Sequence, residues 1–132
     1  MVGFFGVSFS VVSFALAGSA AVSTAGRIPT VVGTCELTTV YKLTARLEDG
    51  SGKPIPDSGS AIFFANGGSQ VSYDQVPAVE FSRPGDQVLF CLVSLPIDCP
   101  PGDERGKTYT TTNLRTKQIW TLPDSAHGCG GA

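Results

Sequence analysis

The chain has 132 residues, of which 42% are hydrophobic and 15% are charged. This length fits one globular domain, and the apolar content excludes a disordered chain. Nine basic and eleven acidic side chains give a formal charge of −2. A charge this small gives no reason to expect nucleic acid or an anionic membrane as the partner.

The first 26 residues contain no ionisable side chain. The apolar run "FFGVSFSVVSFALA" is followed by the small residues "GSAAVSTAG", which is typical of a secretory signal peptide. Cleavage is expected at the A-x-A-like site ending at Ala17 or at a later site near Ala25. An uncleaved anchor is the alternative, because the segment is about long enough to span a bilayer. We predict a signal peptide over 1–26 and a single β-rich domain over 27–132, periplasmic or secreted, with no stable membrane span after cleavage.

From residue 35 onward the hydrophobic pattern has a period of two, which indicates β-strands rather than helices. The stretch "CELTTVYKLTARLED" predicts a long, bent strand with a bulge where Val40 and Tyr41 break the alternation. Turn residues fill Asp49–Ser60. The segments "AIFFAN" and "SQVSYDQV", joined by "GG", then have the signature of a β-hairpin.

The C-terminal half predicts a central strand, a loop and a second hairpin. "QVLFCLVSL" is nearly continuously apolar, which favours a central strand buried on both faces. Prolines and glycines make Pro96–Gly106 a loop. "KTYTTTNLRTKQIWTL" predicts a hairpin that turns around Asn113–Thr116, and no segment offers an amphipathic helix of three turns. The expected fold is all-β, a small disulfide-stapled barrel or sandwich of six or seven mostly antiparallel strands.

All four cysteines lie beyond the predicted signal peptide: Cys35, Cys91, Cys99 and Cys129. An even number in a short exported chain favours two disulfides, and their spacing lacks the C-x-x-C pairs of zinc sites. With the strands running alternately up and down, the tail emerges beside the Pro96–Gly106 loop, so Cys99 meets Cys129 and Cys35 meets Cys91. Trp120 is then a core anchor just before the second bridge. The rival pairing joins Cys91 to Cys99 and Cys35 to Cys129.

Three stretches carry a resemblance to known proteins: "NGGSQVSYDQV", "CLVSLPIDCPPGDERGKTYTTTNLRT" and "WTLPDSAHGCGGA". They are similar to a group of short, exported bacterial proteins with a W-T-x-P-D-S-x-H-x-C-G-G-A tail. The resemblance covers the C-terminal part of the chain only. It implies export, and no activity comes with it.

Two groups of residues invite a catalytic interpretation. Asp124, Ser125 and His127 are the residue types of a hydrolase triad, but they lie within four positions, whereas triad members come from separated elements. We interpret them as a turn and tail. The carboxylates of the loop, Asp98, Asp103 and Glu104, match no calcium or glycosidase pattern and are expected to be solvated. The sequence predicts no catalytic residue, no cofactor and no metal.

The second predicted hairpin carries basic residues without an intervening acid, together with aromatic side chains. Such a cationic, aromatic face would suit an anionic glycan, a phosphate-rich envelope component or a protein, because Arg and aromatic side chains give large contact area. The alternative is that Trp120 is core and the charges only solubilise strand ends. The predicted interaction surface comprises Arg105, Lys107, Tyr109, Arg115 and Lys117.

These observations rank three classes of function. The first is a non-catalytic exported domain that binds an envelope glycan or protein, with no role for nucleic acid. The second is a small secreted enzyme inhibitor that presents the Pro96–Gly106 loop, since a Pro-rich loop fixed by a Cys is preorganised for binding. The third is a small hydrolase.

Overall fold

The computed structural model describes residues 26–131, together with residues 3, 6 and 10–13 near the N-terminus. The predicted cleavage positions at Ala17 and Ala25 lie outside the described residues, as does most of the predicted signal peptide. The prediction of a signal peptide therefore stays a prediction.

The described chain forms six strands and one helical turn, which confirms the all-β prediction. Pro77 begins the single turn of helix, where its missing N–H costs no hydrogen bond. The elements are β1 (Cys35–Ala45), β2 (Ser60–Phe64), β3 (Ser69–Ser72), α1 (Pro77–Glu80), β4 (Gln87–Ser94), β5 (Thr108–Asn113) and β6 (Ile119–Pro123).

The six strands form one antiparallel sheet in the order β3-β2-β1-β4-β5-β6, curled into a half-barrel. β1 pairs with β4 along its first half and with β2 along its second half. The register shifts between Val40 and Lys42, where the sequence predicted a bulge. The bulge lets one long strand bend and serve both halves of the sheet.

The turn between β2 and β3 shows why its sequence is "NGG". Gly67 has φ +90°, a conformation that other residues rarely adopt. A Cβ on Gly68 would come within 2.8 Å of the Phe90 ring. The Asn66 side chain accepts a hydrogen bond from the Gly68 N–H at 2.9 Å. The three residues therefore close the hairpin tightly over the core.

The core fills the concave side of the half-barrel. Phe90 lies at its centre, stacked on Tyr109 with ring centroids 4.2 Å apart and tilted against Phe64 at 4.9 Å. Such ring pairs add to the stability that area burial alone provides. The buried cluster comprises Val40, Ile62, Phe64, Val79, Val88, Phe90, Leu92, Tyr109 and Trp120.

The expectation that β4 is buried on both faces is wrong. β4 is central, but its burial alternates: Val88, Phe90 and Leu92 are buried, whereas Val93 is exposed. The outward position of Cys91 is apolar because Cys91 bonds to Cys35, directly opposite it on β1. The disulfide explains one of the apolar residues on the outward face, and Leu89 and Val93 complete the hydrophobic run although they are half-buried and exposed, respectively.

A buried glutamine joins the two edges of the half-barrel along a line of side-chain contacts between β3 and the β5–β6 pair, which we call the seam. Gln70 of β3 is fully buried, and its Nε2 donates to the Tyr109 carbonyl at 2.7 Å and to the Leu122 carbonyl at 3.2 Å. Its Oε1 accepts from the Trp120 indole N–H at 2.8 Å and from the Thr111 hydroxyl. The amide uses both donors and both acceptor positions, so side-chain bonds replace a β3–β6 ladder.

Candidate functional site

The Pro96–Gly106 loop is fixed to the C-terminal tail. Cys99 and Cys129 form a disulfide with an S–S distance of 2.03 Å, and the Cys129 N–H donates to the Arg105 carbonyl at 2.9 Å. The two disulfides are those that the alternating strand topology predicted, and the rival pairing is wrong. The loop between β4 and β5 is therefore held at both its middle and its end. We call Pro96–Gly106 the clamped loop.

An ion pair reinforces this attachment. Arg105 makes a bidentate contact with Asp103, with Nε and Nη2 each 2.9 Å from a carboxylate oxygen. Asp103 also accepts the Gly130 N–H at 3.0 Å, and Arg105 donates to the Gly131 carbonyl at 3.1 Å. These hydrogen bonds, above all those from Arg105, hold the pKa of Asp103 well below its ordinary value. The tail is thus fixed to its penultimate residue rather than frayed.

The clamped loop presents apolar side chains to solvent. Ile97 is 82% exposed and the preceding Leu95 is 48% exposed. Asp98, next to Ile97, has φ +56°, a conformation that few residues other than glycine adopt. The backbone therefore turns sharply just after Ile97 and is covalently fixed two residues after it, at Cys99.

A cavity of about 400 Å³ lies beside the clamped loop. The chain just after the predicted signal peptide forms one wall, and it is attached to the domain because the Arg27 carbonyl accepts a hydrogen bond from Asn66 Nδ2 at 3.0 Å. The end of β4 and the start of β5 form the others. The lining is Ile28, Pro29, Thr30, Leu92, Leu95, Glu104, Lys107 and Tyr109.

The five residues of the predicted interaction surface do not form one face. Arg105 lies within the clamped loop and Lys107 directly follows it, before β5, whereas Arg115 and Lys117 lie in the turn that follows β5. Tyr109 is 3% exposed and belongs to the core, so it is not part of an exposed aromatic face. Lys107 and Tyr109 do come together, since both line the cavity.

Arg115 has a structural partner at the opposite end of β5. Its Nε lies 2.7 Å from Asp86, whose side chain is 7% exposed, and its Nη2 donates to the Phe81 carbonyl at 2.9 Å. Asp86 also accepts from Asn113 Nδ2 at 2.9 Å and from the Arg83 N–H at 2.8 Å. The hydrogen bonds from Arg115 contribute most to lowering the pKa of Asp86 to about 2. Lys117 is exposed at φ +61°.

The residue types of a hydrolase triad are close in sequence but make other contacts. The Ser125 hydroxyl donates to the backbone carbonyl of His127, not to its ring. Asp124 Oδ1 accepts the Gly106 N–H at 2.8 Å, and His127 Nε2 lies 3.3 Å from the Tyr73 hydroxyl. Asp124 and His127 therefore attach the tail to the rest of the domain, and Ser125 bonds within the tail. Within residues 26–131 and the few described before them, no three His, Cys, Asp or Glu side chains are grouped to hold a metal ion.

Sequence reasoning missed the wall formed by Ile28, Pro29 and Thr30. Pro29 is buried, although it is only the third residue after the segment interpreted as a signal peptide. The available signal was the apolar "IP" after Arg27, the first charged residue of the chain. Gln70 was also missed, because nothing in "SQVS" marks its glutamine as buried.

The comparisons with known proteins give no relative to argue from. No family model matches the chain, no curated protein is similar to it, and no solved structure matches it. In the part of the chain that the structure describes, no helix is long and apolar enough to cross a membrane.

Proposed function

We propose that the protein is an exported, non-catalytic binding domain that holds a partner of the cell envelope at the clamped loop. The observation that carries the proposal is the 82% exposure of Ile97 on this loop. An exposed apolar side chain on a fixed loop favours a partner, because burial stabilises the complex while little entropy is lost in ordering the loop. An apolar contact point favours a protein over a glycan.

Export is supported by the redox chemistry of the cysteines. The described chain holds two disulfides and no free cysteine, which fits a compartment outside the reducing cytoplasm. The charge-free segment over 1–26 supports a periplasmic or secreted location. The intact mass of protein recovered from the periplasm or medium tests cleavage. A mass matching all 132 residues would contradict a cleaved signal peptide.

The absence of catalysis is supported by the contacts of the tail. Asp124, Ser125 and His127 each bond to neighbouring structure and do not relay a proton between them. The exposed carboxylate of Glu104 and the Arg105-paired carboxylate of Asp103 offer no acid and base pair across a cleft.

Capture from the envelope tests the binding role. Protein recovered from producing cells is immobilised and exposed to an extract of the same envelope, and retained proteins are identified by mass spectrometry. Ile97→Asp should abolish retention of the partner, because a charge replaces the apolar contact point. Ile119→Asp is the matched control, since Ile119 is 62% exposed on β6. Equal retention by all three proteins would refute the proposal.

An enzyme inhibitor is the second candidate. It is favoured by the same loop, because an apolar tip that is fixed by a neighbouring disulfide is preorganised to fill an enzyme's pocket. If the captured partner is an enzyme, an assay of its activity distinguishes the two candidate functions. Saturable inhibition that Ile97→Asp removes would identify an inhibitor, whereas binding without inhibition would identify an interaction module.

A further inference from the structure

The cavity beside the clamped loop has the size and lining of a small-molecule site. Its volume of about 400 Å³ lies near the lower end of the range for ligand pockets. Ile28, Pro29, Leu92 and Leu95 line it with apolar groups, and a few polar groups accompany them. Such a lining suits a ligand with a small apolar body.

The Tyr109 hydroxyl is available to a ligand. The described residues contain no buried side-chain nitrogen or oxygen without a hydrogen-bond partner, yet none of their hydrogen bonds involves this hydroxyl. The hydroxyl is therefore not buried, and although the residue as a whole is only 3% exposed, we infer that the hydroxyl reaches the cavity that Tyr109 lines. Burial, followed by the nearby Asp124 carboxylate, raises the pKa of Tyr109, so the phenol stays protonated and can donate.

Lys107 supplies a second donor at the same cavity. Its side chain is 27% exposed, and its Nζ lies 3.5 Å from Glu104, a long contact for an ion pair. The Glu104 side chain is 83% exposed, so it can turn away into water at little cost. A ligand carboxylate would meet an ammonium group that is already partly desolvated.

We propose that this cavity binds a small carboxylic acid with an apolar body, whose carboxylate is held by Lys107 and Tyr109. The apolar part packs against Ile28, Leu92 and Leu95. This inference rests on the proposed role as a binding domain and assigns it a ligand class. One ammonium group and one neutral hydroxyl suit a single negative charge better than a phosphate. A cationic ligand would be repelled by the Lys107 ammonium, and Glu104, the carboxylate paired with Lys107, lies largely in water.

Titration with straight-chain carboxylates tests the proposal. Butanoate, hexanoate and octanoate are titrated calorimetrically into the full disulfide-bonded protein. Affinity should rise up to about fourfold per added methylene, the equivalent of ~0.8 kcal/mol, and stop rising when the cavity is full. Octanol and octylammonium are matched to octanoate in length, and each should bind at least roughly tenfold more weakly, because they lack the charge-assisted hydrogen bonds.

Variants show whether the named donors act on the ligand. Lys107→Gln should weaken octanoate binding by roughly tenfold or more while leaving octanol unchanged. Tyr109→Phe keeps the ring that stacks on Phe90 and should weaken octanoate by about fivefold. Lys117→Gln, in the turn after β5, is the control and should bind as the unaltered protein does. Thermal unfolding of each variant verifies that it is folded.

Two results would overturn the proposal. One is equal binding of octanoate and octanol, and the other is unaltered octanoate affinity in Lys107→Gln. If either occurs while Ile97-dependent capture of an envelope protein persists, the ligand assignment alone fails. If that capture is absent as well, the binding role fails with it.

Discussion

Gln70 offers the sharpest test of how the half-barrel is closed. Replacing it by Met keeps a long, unbranched side chain but removes all four hydrogen bonds of the amide. The Trp120 indole N–H is then left buried without an acceptor, since Trp120 is only 5% exposed. An unsatisfied buried polar group costs about 1–3 kcal/mol. The Tyr109 and Leu122 carbonyls and the Thr111 hydroxyl also lose their bonds to Gln70, which adds to this cost. We expect the free energy of unfolding to fall by about 2–5 kcal/mol.

The measurement is urea-induced unfolding with both disulfides intact, followed by the fluorescence of Trp120, the single tryptophan. Gln118→Met is the matched control, because Gln118 is exposed in the turn before β6. This control should stay within about 0.5 kcal/mol of the unaltered protein. A Gln70→Met variant equally close to it would refute the reasoning that Gln70 joins the edges.

Three other features predict measurable effects. Because the pKa of Asp86 is lowered to about 2, its charge stabilises the fold by about 2 kcal/mol above about pH 4, and this contribution is lost as the pH falls toward 2. Asp86→Asn should therefore make the midpoint of urea unfolding less dependent on pH in the acid range. Replacing Cys99 and Cys129 together by Ser opens a 30-residue loop and should lower the free energy of unfolding by roughly 3–4 kcal/mol; a loss under 1 kcal/mol would contradict the clamp. His127→Ala, at an exposed contact, should change stability by no more than about 0.5 kcal/mol, and loss of a hydrolytic activity in this variant would overturn the non-catalytic assignment.

Strand positions were predictable because they depend on local chemistry. Period-two alternation and turn residues located the strands, and the phase break at Val40 located the bulge. The pairing of Cys99 with Cys129 followed from strand direction alone, since two strands after the loop return the chain to the same end. These inferences required no knowledge of which side chains meet across the sheet.

Features that depend on distant partners were not predictable. Gln70 is buried only because Trp120 and Thr111 lie across the seam, and a local reading of alternating residues cannot reveal that. Similarly, the outward residues Leu89, Cys91 and Val93 of β4 are apolar, and only the pairing of Cys91 with Cys35 on the neighbouring strand gives one of them a structural reason. The predicted cationic face was a pattern of charges along the chain. In the structure Arg115, which follows β5, forms an ion pair with Asp86, which lies before β4.

The polar groups inside the half-barrel separate into two kinds. At the seam, Gln70 has a partner for every hydrogen, and at the far end Asp86 and Asn113 bond to each other and to their neighbours. Such saturated networks fix one arrangement of the core and have no capacity for a ligand. The Tyr109 hydroxyl differs, since it has no hydrogen-bond partner among the described residues and belongs to a residue that lines the cavity. Because its hydrogen-bonding capacity is not used by the protein, this hydroxyl at the clamped-loop end is the polar group of the barrel best suited to meet a ligand.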